Sequence, residues 1–76
     1  MTVRHDRIVS DPEIMFGKPV IKGTRIPVET ILRMLGDGVR ADEIIASYPH
    51  LSGEDILAVQ RFAADFVRRR EIALVE

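Results

Sequence analysis

The chain has 76 residues, 46% hydrophobic and 30% charged, with a formal net charge of −1. That length gives one domain with a small core, for which self-association or a partner is the default expectation. The balance excludes a disordered polymer and a global basic field, so any nucleic-acid contact must come from a local patch.

Cysteine is absent, which removes disulfides, thiolate metal sites and thiol nucleophiles together. Met1 to Asp6 is polar, lacks the apolar run of a signal peptide and is expected to fray. No apolar stretch approaches membrane-spanning length, so the expectation is a cytoplasmic protein with no membrane contact.

Arg7-Ile8-Val9 reads as a short strand stopped by the turn sequence Ser10-Asp11-Pro12. Glu13 to Gly17 is open between a helical turn and a packed loop, because Ile14, Met15 and Phe16 are consecutive and carry no periodicity. Pro19-Val20-Ile21 and Thr24-Arg25-Ile26 are β-prone runs separated by Lys22-Gly23, a pairing that suits a hairpin. Pro27 ends that pairing and fits the first turn of a helix.

Three helices follow. Val28, Ile31, Leu32 and Leu35 make one apolar stripe of a first helix, closed by Gly36-Asp37-Gly38. A second, short helix over about residues 41–48 has Asp42 and Glu43 in its first turn, Ile44, Ile45 and Tyr48 inward, and Pro49 as its stop. Arg40 stands where a hydroxyl or Asx cap is expected, which predicts a weaker start. The third helix is capped by Ser52 with Asp55 three residues on and is expected to reach about Arg70. Its face of Ile56, Val59, Ala63, Phe66 and Val67, widened by Phe62, is broad enough to suggest contact beyond this small domain. Helices two and three with the short Pro49–Ser52 connection have helix-turn-helix proportions.

With these residues in view, Ile8-Val9-Ser10-Asp11-Pro12, Gly17 to Val28, Tyr48-Pro49-His50-Leu51 and Glu54-Asp55-Ile56 resemble the bacterial domain-of-unknown-function family 433. The resemblance runs from about Arg7 to about Val67. It implies a homeodomain-like fold with a small β-element, and the role of antitoxin in a type II toxin–antitoxin pair with a PIN-like ribonuclease as the toxin. Members usually carry a hydroxyl residue where this chain has Arg40, a departure that touches only a helix cap.

Each motif has a sharp and a plain reading. Gly17-Lys18 and Lys22-Gly23-Thr24 resemble a phosphate loop only superficially, since the lysine precedes its glycine and a strand follows. Lys18, Lys22 and Arg25 can form a local basic patch, or simply a solvated rim. A DNA-reading third helix would present Ser52, Gly53, Glu54 and Asp55 to the bases, and two carboxylates there repel phosphate; Gln60 and Arg61 are the better candidates. Arg68-Arg69-Arg70 either solvates a helix end or, with the apolar Ile72-Ala73-Leu74-Val75 after it, wraps onto a toxin. The resemblance implies that a PIN-type nuclease holds a divalent metal among carboxylates, where an inserted arginine neutralises the charge.

His5 and His50 lack a third ligand, and the pairs Asp42/Glu43 and Glu54/Asp55 are first-turn residues rather than a facing acid–base pair. The expectation is therefore no enzyme activity, no metal, no cofactor and no small-molecule substrate.

The chain is thus expected to be an α+β, mainly α, single domain over 1–76: a β-arm and hairpin to residue 27, a three-helix bundle over 28–70, and a tail over 71–76. The expected function is an antitoxin that contacts its toxin through Arg68, Arg69, Arg70, Ile72 and Leu74 and autoregulates its operon by DNA binding. The alternative is a stand-alone helix-turn-helix-like regulator. A homodimer is expected, with Ile8, Val9, Val20, Phe62 and Phe66 as interface candidates.

Overall fold

A computed structural model describes residues 5–69. Two short strands, β1 (Ile8–Val9) and β2 (Val20–Ile21), pair antiparallel with Ile8 opposite Ile21 and Val9 opposite Val20. Three helices follow: α1 (Val28–Gly36), α2 (Ala41–Ser47) and α3 (Gly53–Arg68). The fold is mainly helical with a small β part. Among the described residues no helix is long and apolar enough to cross a membrane.

One core joins all three helices to the strand pair. Ile21 from β2, Val28 and Ile31 from α1, Ile44 from α2, Leu51 from the connection, and Ile56 and Val59 from α3 are buried together. Each helical member faces inward by the 3.6-residue period, and Ile21 by its place in the strand. Ile8, Leu32, Leu35, Ile45, Tyr48 and Phe62 pack around this centre.

The helix ends form as their residues dictate. Gly38 takes a left-handed φ of 88°, which lets Val39 N–H donate to Met34 O at 3.0 Å and closes α1. At α2 the missing cap is replaced from inside the helix, with Glu43 Oε1 accepting from Arg40 N–H at 3.1 Å. α3 has the fuller capping box: Asp55 Oδ2 accepts from Ser52 N–H at 3.0 Å, and Ser52 Oγ accepts from Asp55 N–H at 3.3 Å.

The β pairing differs from the expected one. The ladder joins the N-terminal arm to Val20–Ile21, and Thr24-Arg25-Ile26 does not form a strand. That run returns along β2 through one bridge, Val20 to Pro27, with bonds from Ile21 N–H to Ile26 O at 3.0 Å and from Val28 N–H to Pro19 O at 2.9 Å. The reason is local. Thr24 Oγ1 donates to Ile21 O at 2.7 Å and accepts from Ile26 N–H at 3.0 Å, so a side chain takes the groups that a ladder needs. Gly23 at φ 80° makes the turn.

Two further expectations are corrected. The end of the N-terminal stretch does not fray: His5 Nε2 lies 2.9 Å from Asp65 Oδ2 on α3. Val20 is fully buried, so it has no surface to offer a second copy. The first four residues of that stretch, and the tail expected over 71–76, lie outside the described residues.

Asp55 does more than cap. It is 8% exposed, and its Oδ1 accepts from the Arg7 guanidinium at 3.0 Å, tying the arm to the start of α3. Burial pushes its carboxyl up, but the Ser52 N–H, the Arg7 guanidinium and the Ser52 hydroxyl together hold it below the usual carboxylate value. Asp55→Ala is expected to destabilise by about 2 kcal/mol, and Arg7→Met, at a more exposed partner, by about 1 kcal/mol. Urea unfolding measures both. Because the folded pKa lies below the unfolded one, this stabilisation is complete above the unfolded value and is lost as pH falls through the folded value. Asp55→Asn should therefore flatten the acid limb of the stability curve.

Candidate functional site

Two surfaces concentrate the chemistry. The first is where the N-terminal arm crosses α3. Arg7 binds Asp55 at the start of the helix, and His5 binds Asp65 nearer its end, with the His5 ring edge-on to Phe62 at 5.3 Å. Two shallow clefts flank the arm, one of about 190 Å³ lined by His5, Asp6, Arg7, Ala58 and Arg61, the other of about 270 Å³ beside Phe62, Asp65, Phe66 and Arg69. Both fall below the common range of small-molecule pockets, roughly 300–1,000 Å³. Among the described residues no group of three His, Asp or Glu is placed to hold a metal ion.

The second surface is an open groove of about 280 Å³ between α1 and α3. Pro19, Val28, Leu32, Phe62, Ala63, Phe66 and Val67 line it, and among the described residues Glu29 is the one polar member of its wall. It exists because α3 outruns the core. Asp55, Ile56, Ala58 and Val59 are buried, whereas two helical turns later Phe66 and Val67 are 49% and 54% exposed. Phe66 stacks at a tilt on Phe62, 6.3 Å between ring centres. At the rim Lys18 Nζ donates to Glu29 Oε1 at 2.6 Å, which holds the Glu29 carboxyl below its usual value.

The remaining predicted residues are scattered. Lys18 is taken up by Glu29, while Lys22 and Arg25 are exposed on the loop beyond β2 and pair with no described carboxylate. Gln60 and Arg61 are exposed on α3, and of the two only Arg61 borders the arm cleft. Asp55 turns inward to Arg7, which leaves Glu54 as the exposed carboxylate at the head of α3. Ile8 packs on the core, Val9 is half-buried beside it, and Phe62 and Phe66 are in the groove. Arg68 and Arg69 are exposed at the end of α3; Arg70, Ile72 and Leu74 lie outside the described residues.

A profile of the family described as "Protein of unknown function (DUF433)" matches residues 8–63. The chain belongs to this family. The match takes in the arm strand, the loop, all of α1 and α2, and α3 as far as the groove. A crystal structure of a DUF433 member from Anabaena variabilis superposes with a TM-score of 0.78 at 30% identity, covering 84% of this chain and 63% of that one. The uncharacterized protein y4eO of Sinorhizobium fredii is 30% identical over 56 residues, 74% of this chain but 25% of its own length. An uncharacterized protein of Archaeoglobus fulgidus is 59% identical over 29 residues, 38% of this chain and 81% of its own. The chain thus spans about a quarter of y4eO and under two thirds of the Anabaena protein.

Sequence reasoning missed two parts of this site. His5 meets Asp65, and Arg7 meets Asp55, only because the arm folds across α3, the pairs being 60 and 48 positions apart. Phe16 is 96% exposed on a left-handed turn, Met15, Phe16 and Gly17 having φ of 50°, 59° and 82°. The Gly17 φ is foreseeable from its residue type; those of Met15 and Phe16 are not. Since the Phe16 ring contributes almost no burial to its own chain, Phe16→Gly should relieve the backbone at little cost. We expect that change to stabilise the dilute protein by about 0.5–1 kcal/mol, whereas Gly17→Ala should destabilise it by about 1 kcal/mol, both measured by thermal or urea unfolding.

Proposed function

We propose that this DUF433 chain is an antitoxin of a type II toxin–antitoxin pair, a binding module that docks on a PIN-like ribonuclease through its C-terminal end and silences it. The observation that carries this reading is the way α3 leaves the core. Its end projects Arg68 and Arg69 into solvent, neither side chain paired with another described residue. Cations at a helix C-terminus are favoured by the helix dipole and are positioned to meet a carboxylate-rich surface. The toxin-contact residues are Arg68 and Arg69, continued by Arg70, Ile72 and Leu74. In this reading the chain itself catalyses nothing.

Operator binding is the second activity proposed. It is favoured by Lys22 and Arg25, exposed cations on a loop braced by Thr24, with Arg61 as a contact from α3. Such contacts position a protein on phosphates rather than read bases. The exposed Glu54 argues against seating the head of α3 deep in the major groove.

Both activities are open to direct measurement. Removing residues 68–76 should leave the circular dichroism and thermal transition nearly intact, because the buried part of α3 ends before that point. The same truncation should abolish inhibition of a PIN-like ribonuclease that the full-length chain inhibits in an RNA-cleavage assay. Full inhibition by the truncated protein refutes the assigned contact. Arg68→Glu with Arg69→Glu should weaken the complex by about tenfold or more, chiefly at low salt. For DNA, affinity for the upstream operator should fall steeply with salt, and Lys22→Ala or Arg25→Ala should each lower the log–log slope by about 1.

A further inference from the structure

We propose that the groove between α1 and α3 is filled by a second copy of this chain, each protomer inserting its Phe16 turn into the groove of the other across a two-fold axis. This goes beyond the toxin reading, which uses the cationic end of α3, and the two can fail separately.

The first observation is the turn. Met15 and Phe16 both hold left-handed backbone, a conformation that costs a residue with a Cβ about 1–2 kcal/mol. The turn is nevertheless fixed. Asp11 Oδ1 accepts from Glu13 N–H at 2.9 Å, Asp11 O from Ile14 N–H at 2.9 Å, and Met15 O from Lys18 N–H at 3.1 Å. The result is a rigid knob that displays Phe16 with 96% of its surface in water. Among the described residues nothing covers the ring. Strain of this kind persists at sites where display of a side chain is used. A knob that is already rigid loses little entropy when it docks.

The second observation is the place of the groove. Pro19, three residues after Phe16, forms part of its wall, so knob and groove lie within about 11 Å along the chain. Phe16 does not fold back into the groove, as its exposure shows. A ligand the size of benzene fits a cavity on the order of 150 Å³, and the groove holds about 280 Å³ with Leu32, Phe62, Ala63 and Val67 as its apolar surface. A knob and a hole carried close together on each protomer suit a closed, self-complementary exchange about a two-fold axis.

Charge agrees with this occupant. Asp11 and Glu13 flank the knob, and Lys18 after it is taken up by Glu29 of the groove wall. Beside the groove Asp65 is taken up by His5, which leaves Arg33 and Arg69 against the single acid Asp37. Insertion therefore brings acidic flanks toward rims with a small excess of cations, which favours one orientation.

The absence of cysteine from the chain makes a clean test. Phe16→Cys and Ala63→Cys are introduced on separate full-length chains, mixed and mildly oxidised, while sedimentation equilibrium follows the wild type and Phe16→Asp. The expected results are a disulfide-linked pair containing one chain of each kind, a dimeric wild type, and a dimer dissociation constant raised roughly thirtyfold or more by Phe16→Asp, the loss of a central anchor. Leu57→Asp, at an exposed apolar site outside the groove, should leave the dimer unchanged. The proposal is overturned by a monomeric wild type or by a dimer that ignores Phe16→Asp. It also falls if Phe16→Cys and Ala63→Cys, combined in one chain, form a disulfide within that chain. A wild type that becomes dimeric only after removal of residues 70–76 likewise overturns it, and assigns the groove to the chain's own C-terminal segment.

Discussion

Asp55 is the joint on which the structure depends. One carboxylate caps α3 through Ser52 and receives the guanidinium of Arg7 from the root of β1. Without it the Ser52 N–H at the head of α3 would lose its acceptor and the arm would lose its anchor on the helices. With it, the arm is held firmly enough for Ile8 and Ile21 to pair, and for Ile21 to enter the core beside Ile31 and Ile56. The short β-ladder could not stand alone at two residues per strand. It persists because this side-chain link and the core beneath fix both of its ends.

The same joint sets what is left exposed. Clamping the head of α3 to the arm commits the buried face of the helix to Ile56 and Val59, and the small core ends at Phe62. The helix continues to Arg68, so its last turns have an apolar side with little of the domain left to cover it. A domain of this size routinely leaves such surface for an interface. The groove and the cationic helix end are thus two consequences of one mismatch between helix length and core size. The two roles proposed for them, a second protomer in the groove and a nuclease at the helix end, occupy adjoining surfaces. They are compatible within one assembly.

Much of the fold was legible. The stripe Val28, Ile31, Leu32, Leu35 has only one way to face a core, Gly38 is where a left-handed cap belongs, and Ser52 with Asp55 marks a helix start. The β-region was harder. Thr24 looked like a strand residue, yet its hydroxyl is better used bridging Ile21 and Ile26 across the loop, and local propensity carries no record of that choice. The candidate site was less legible still. Lys18, Lys22 and Arg25 are alike as sequence, and only their surroundings separate the lysine spent on Glu29 from the two cations left to solvent.

By itself the sequence determined the three helices to within a residue or two, most of the buried face, the caps at Gly38 and at Ser52 with Asp55, and the family, because these rest on periodicity, on backbone preferences and on motifs read within a few residues. Tertiary structure alone decided that the arm pairs with β2, that Arg7 and His5 reach Asp55 and Asp65, that Val20 is interior, and that Phe16 stands clear beside an apolar groove. Those facts join residues far apart in the chain. They follow from how the packed helices divide space, which no local pattern encodes.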